Sequence, residues 1–300
     1  MKYVCVIGGA NIDIFVSPYS QLVLRDSNPS RIHYAYGGVA RNIAENLTRL
    51  QVNTHFVTAF GQDNFADLLK QDCLRLGMDI SSSSTFNGNT STYICVNDIS
   101  KDMFLGASDM DILSNISVDL LSSLLTLFNN ATAIVIDTNL NVEVLDYLIS
   151  NVTQPIFIET VSCAKAKKLI SRRLPFSIKA NSYEAEVITG VSITDQTSCH
   201  EALLKLNKQG AVLPIITCGK EGSYYYYNGK FGHNQGISVI SGNTTGAGDS
   251  FLAGVVWGYQ QGKDVDYCLR AGSLASILTL QSDKPVSELL SSDYLTTLLK

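Results

Sequence analysis

The stretch NTTGAGDSF, residues 243–251, reads as a glycine-rich turn running straight into a helix, and that junction decides how the rest of the chain is read. The small residues Gly246, Ala247 and Gly248 leave backbone N–H groups uncovered, while a helix start adds unsatisfied donors and the positive end of its dipole. An anion is welcome there. Asp249 falls in the first helical turn, where a carboxylate beside an anion hole serves as general base for a hydroxyl nucleophile. A tight turn whose acid merely complements the helix dipole accounts for the nine residues equally well. Phe251, Leu252, Val255, Val256 and Tyr259 then recur at helical spacing, and Gly262 ends the run.

Working outward, apolar runs of strand length alternate with helical patterns. Tyr3 to Ile7 precedes a helix carrying Val39, Ile43, Leu47 and Leu50; Thr54 to Phe60 precedes one carrying Phe65, Leu68, Leu69 and Leu76. Further strands are expected at Ala133 to Ile136, Pro155 to Ile158, Phe176 to Ala180 and Leu213 to Cys218. This alternation predicts an α/β fold with one doubly wound, mostly parallel sheet covered on both faces, residues 1–300 forming a single domain. Two segments, 14–36 and about 85–106, break the rhythm with short strand-like pieces such as Thr92 to Val96 and Met103 to Leu105. They read as a small inserted β lid or as ordinary surface loops.

A chain of 300 residues that is 45% hydrophobic and 16% charged has ample material for a core. Its net charge of −5 argues against general affinity for nucleic acid or an anionic membrane. The seven cysteines are scattered with no C-x-x-C pair, so neither a disulfide framework nor a zinc site is expected. No run approaches the roughly 20 apolar residues of a membrane span, and the apolar start is too short for a signal peptide. A reducing cytoplasm is the expected compartment.

Polar residues gather where strands end. Asn11 and Asp13 are two apart after a buried strand and share a side in extended backbone. In GGVARN, residues 37–42, Gly37 and Gly38 open a helix that carries Asn42. Open α/β sheets bind ligands at the carboxyl ends of their strands, and an acid with two amides suits a vicinal diol. Taken singly, each is also an ordinary turn or cap residue. Asn181 and Glu184, in KANSYEAE at 179–186, could order water around Mg²⁺, and a capped helix explains them as well. Thr217 and Gly219, in TCGKEGS at 217–223, offer a turn for close approach of a nucleotide or simply lead into a hairpin. No P-loop lysine motif is present. The four histidines show no ligand spacing.

With GANID at 9–13, GGVARN at 37–42, N-x-x-E at 181–184 and TTGAGD at 244–249 in hand, the chain resembles the ribokinase-like (PfkB) family of carbohydrate kinases over its full length. DSNPS at 26–30, GGVARNIAENL at 37–47 and SDMDI at 108–112 look most like the pseudouridine kinases within it. The resemblance implies ATP-dependent phosphorylation of a nucleoside's ribose 5′-hydroxyl, with ribose, adenosine or fructose as other acceptors and a non-catalytic nucleoside binder as the competing class. It makes Asp249 the base, residues 246–248 the anion hole, and Asn11, Asp13, Gly38 and Asn42 the sugar site. Asn181 and Glu184 would serve Mg²⁺ and phosphate, Thr217 and Gly219 the nucleotide. The lid would contact the base and offer a homodimer surface. Many members carry Asp where this chain has Asn243, which leaves dependence on K⁺ open.

Overall fold

The computed structural model describes residues 2–236 and 244–300. Its strands are β1 (Val4–Ile7), β2 (Asn11–Pro18), β3 (Ser30–Gly37), β4 (Thr54–Val57), β5 (Ala59–Phe60), β6 (Ser84–Thr85), β7 (Thr92–Asn97), β8 (Met103–Asp109), β9 (Ala133–Asp137), β10 (Ile156–Glu159), β11 (Ser177–Asn181), β12 (Leu213–Thr217), β13 (Gly222–Tyr227) and β14 (Lys230–Gln235). The helices are α1 (Val39–Arg49), α2 (Asn64–Leu76), α3 (Val118–Ser123), α4 (Leu125–Asn130), α5 (Val142–Asn151), α6 (Cys163–Ala166), α7 (Ser182–Thr189), α8 (Gln196–Lys208), α9 (Ala247–Gln260), α10 (Val265–Leu280) and α11 (Ser292–Leu298).

The main sheet runs β14-β13-β12-β11-β10-β9-β1-β4, parallel from β12 to β4 and antiparallel at the β13–β14 edge. Its central strands are apolar on both faces, as buried parallel strands must be. Val4, Val6, Ala133 and Val135 point into one core with α1, α9 and α10. Their neighbours Cys5, Ile7, Ile134 and Ile136 point into the other. The edge hairpin closes through Asn228 and Gly229, both at positive φ, the two-residue turn that matches strand twist. No helix among the described residues is long and apolar enough to cross a membrane.

Two glycines fix how α9 lies. A Cβ on Gly254 would sit 2.6 Å from the Ala271 carbonyl oxygen, and one on Gly272 would sit 2.8 Å from that of Phe251. The backbones of α9 and α10 therefore touch, which seats the start of α9 at the carboxyl ends of the strands.

A second sheet, ordered β3-β2-β7-β8, occupies the two segments that lack helical periodicity. It begins earlier than the pattern suggests, because Asn11 and Asp13 belong to β2 itself and pair with Gly37 and Ala35. The run Thr54 to Phe60 is not one strand. Beyond Val57 the backbone leaves the main sheet: the Thr58 N–H donates to Ser83 Oγ, and β5 pairs with β6.

Candidate active site

Gly246 stands at the N-cap of α9 in the left-handed region, φ 81°, and a side chain there would collide with the Pro285 backbone. Only glycine makes that turn without strain. The Ser250 N–H returns to the Gly246 carbonyl at 2.9 Å. The N–H groups of Gly248 and Asp249 find no acceptor among the described residues, as expected in a first helical turn. The Ala247 N–H beside them turns back to the Thr244 carbonyl at 3.4 Å.

Asp249 is 7% exposed, and its Oδ2 accepts a hydrogen bond from Asn42 Nδ2 at 2.9 Å. Burial pushes its pKa up to about 6; Asn42 and Lys179 oppose that rise, and Asp137 and Asp13 add to it. A carboxyl that titrates near neutrality at a helix start is suited to accept a proton.

The other polar residues arrive from β2 and α1. Asn11 Nδ2 donates to Asp13 Oδ1 at 2.5 Å. A side chain on Gly37 would collide with the Asp13 carboxylate, and one on Gly38, φ 100°, with the Gly9 carbonyl. Both glycines thus leave the room Asp13 and the Gly9–Ala10 backbone occupy. Burial raises the Asp13 pKa to about 6 against the Asn11 hydrogen bond and Arg41. Asn11 and Asp13 are joined on one side, and Asn42 and Asp249 on the other.

Asn181 and Glu184 form a reciprocal capping box on α7: the Glu184 N–H donates to Asn181 Oδ1 and the Asn181 N–H to Glu184 Oε2, each at 2.9 Å. The Thr160 hydroxyl also donates to Glu184 Oε2, at 2.5 Å. Their first task is structural, and Glu184 keeps one carboxylate oxygen for another partner. Thr217 lies beside Asn181 in the β11–β12 register. Gly219, φ 55°, opens an exposed turn with nothing within 4 Å of a Cβ built there, and makes no contact with the Asp249 group. Asn243 lies outside the described residues.

Three buried charges escaped the reading of motifs. Lys179 Nζ pairs with Glu159 Oε1 at 2.9 Å, and a Cβ on Gly248 would sit 2.5 Å from that ammonium. The missing side chain of Gly248 is therefore the space into which Lys179 reaches, beneath the first turn of α9. Burial raises the Glu159 pKa to about 7 although Lys179 lowers it. Burial works against the Lys179 charge, but Glu159, Glu184 and Asp249 outweigh it and its pKa is raised. Asp137 Oδ2 accepts from the N–H groups of Gly9 and Ala40, at 3.0 and 3.2 Å, tying the β1–β2 turn to the start of α1. The available signal was a charged residue closing an otherwise apolar strand, in AIVID and IFIE, and a lysine in the middle of the buried strand SIKAN.

Three carboxylates, Glu159, Glu184 and Asp249, thus share one buried ammonium, and Glu159 Oε2 is buried without a partner. An excess of hard oxygen donors of this kind fits Mg²⁺. No group of three or more His, Cys, Asp or Glu among the described residues is arranged to ligate a metal directly. A divalent ion here would be held through its own waters.

The profile of the pfkB family of carbohydrate kinases matches residues 1–290. The chain is 30% identical to pseudouridine kinase of Escherichia coli K12 over 257 residues, 84% of this chain and 82% of that protein. It is 25% identical to a ribokinase of Haemophilus influenzae, covering 93% and 92% of the two chains. Among solved structures, Arabidopsis thaliana ribokinase complexed with ribose and ATP superposes with a TM-score of 0.82 at 20% identity, over 100% of this chain and 99% of that one. A carbohydrate kinase from Agrobacterium tumefaciens gives 0.84 at 24% identity, over 100% and 97%. With its strand order, its glycine turn and nearly its whole length accounted for, the chain belongs to the pfkB family of carbohydrate kinases.

Proposed function

We propose that this kinase transfers the γ-phosphoryl group of ATP to the ribose 5′-hydroxyl of a nucleoside, with pseudouridine as the substrate. The observation that carries the reading is the Asn42–Asp249 hydrogen bond at the N-terminus of α9, which joins a base to both an anion hole and a sugar-binding helix. Phosphoryl transfer demands alignment and charge neutralisation more than covalent help. Asn11, Asp13, Gly38 and Asn42 hold the ribose hydroxyls. Asp249 accepts the 5′-hydroxyl proton, and the N–H groups of residues 246–248 steady the transferred group. Asn181 and Glu184 would hold Mg²⁺ through its waters, and the ion would supply neutralisation of phosphate charge, while Thr217 and Gly219 line the nucleotide.

The small sheet acts as the lid. Strand alternation puts Phe15, His33 and Tyr93 on the same face as Asp13. Phe15 and His33 are stacked with centroids 5.1 Å apart, a flat surface of the kind a nucleobase stacks on. The opposite face exposes Ile32, Tyr34 and Leu105 and suits a second copy of the chain. All seven cysteines are free, as in a reducing cytoplasm.

Release of ADP from purified protein, measured with pseudouridine, uridine, adenosine, ribose and fructose, tests the reading. Pseudouridine should give the highest kcat/KM, and Asp249→Asn should lower kcat by about 10² to 10⁴. Preference for a free sugar removes the nucleoside assignment; undiminished turnover by Asp249→Asn removes the base.

A further inference from the structure

A cleft of about 610 Å³ opens at the other end of α9, between the β13–β14 hairpin and the start of α10. Asp249 and Tyr259 are ten positions apart on one helix, so the cleft lies about 15 Å from the base along the helix axis. Its volume falls within the range of small-molecule sites, about 300–1000 Å³. None of the residues that bind or react under the proposed mechanism lines it.

The floor is aromatic. Phe157, Phe176 and Tyr259 pack edge-to-face or tilted, with centroids 5.2 to 5.4 Å apart, and Phe176 and Tyr259 stay partly open to the cleft. Tyr227 stands on the hairpin side. Such a floor accepts a planar ring by stacking or edge contact.

The rim supplies donors without acceptors. The Lys230 ammonium forms no ion pair or hydrogen bond among the described residues, and that of Lys263 only lies over the Tyr267 ring, 5.3 Å from its centroid. The hydroxyls of Tyr227 and Tyr259 likewise meet no acceptor among the described residues. Two carboxylates line the same rim and keep their charge, but each already holds a donor: Asp264 caps α10 through the Tyr267 N–H at 2.8 Å, and Asp266 accepts the Tyr225 hydroxyl. Two ammonium groups and two phenols over an aromatic floor complement a flat ring that carries an anionic group.

We propose that this cleft is a second ligand site, separate from the active site, that binds a planar heteroaromatic anion through the Phe176–Tyr259 floor and the Lys230 and Lys263 ammoniums. Uridine 5′-monophosphate is the probe, since it combines a flat ring with a phosphate, and uridine is its neutral counterpart. Binding to the full chain is read by calorimetry and by the fluorescence of Trp257, the single tryptophan, which stacks on Tyr267 beside Lys263. The double variant Lys230→Glu/Lys263→Glu alters two exposed side chains far from Asp249. It should weaken the nucleotide by about tenfold or more and leave kcat and KM for the phosphoryl acceptor unchanged. Val265→Trp, which fills the cleft, should abolish the same binding. Three results would each overturn the site: no binding in the millimolar range, equal affinity for uridine and its monophosphate, or binding unchanged in both variants, which would place the nucleotide in the active site instead.

Discussion

Asn42 on α1 donates to the carboxylate of Asp249 on α9 across 207 positions of sequence, at 2.9 Å and out of water. The contact holds Asp249 in one orientation and lowers its proton affinity against the larger effect of burial. Activity and stability should therefore respond to pH in opposite senses.

For activity, the proposed base Asp249 can accept a proton only when ionised. With its pKa near 6, kcat/KM should climb as pH rises through about 6 and level off above 7. A pH–rate profile measured to pH 5 checks this; a flat profile would place the titrating base elsewhere.

For stability, the sign is reversed. The folded-state value of about 6 exceeds the ordinary 3.8, so between those values the folded chain binds more protons than the unfolded one, and stability falls as pH rises through that window. Asp249→Asn removes the effect and should stabilise the protein at pH 7.5 by up to about 3 kcal/mol, seen as a higher Tm. The most damaging change for turnover would then be a stabilising one.

Gly248→Ala places a methyl group against the Lys179 ammonium and forces it away from Glu159. Overpacking of this kind costs about 1–3 kcal/mol. Urea unfolding should register that loss, with kcat reduced beyond what the remaining folded fraction explains.

Lys179→Met leaves Glu159 and its neighbours without a counter-charge, and breaking a buried pair from one side costs about 3–5 kcal/mol. Adding Glu159→Gln should recover part of the loss. If the double variant is no more stable than Lys179→Met, the two residues are not coupled.

Gly37→Ala should raise KM for the phosphoryl acceptor while leaving KM for ATP near its original value. A side chain there displaces the Asp13 carboxylate and nothing on the nucleotide side. A parallel rise in both constants would contradict the assignment.

Much of this was legible in the chain because central strands such as AIVID are apolar on both faces and the helices between them keep a 3.6-residue stripe. Thr54 to Phe60 misled because apolar character persists through Thr58, where the backbone changes sheets; composition does not register a change of hydrogen-bond partner. At the site, the glycine turn and Asp249 stood out because they are local. Lys179, Glu159 and Asp137 did not, since each belongs to an ordinary strand and gains meaning from a partner on another element. Asn181 and Glu184 showed the reverse difficulty: their three-residue spacing is that of a capping box, and the box is what they form.

Asn11 and Asp13 are carried by β2, the same strand that runs out into the four-stranded small sheet. That sheet cannot tilt without dragging the carboxylate along, much as a lever moves the pin at its fulcrum. If Asp13 holds the sugar as proposed, closing over it and gripping it would be one mechanical act, and a substrate that seats poorly there would also leave the flap ajar.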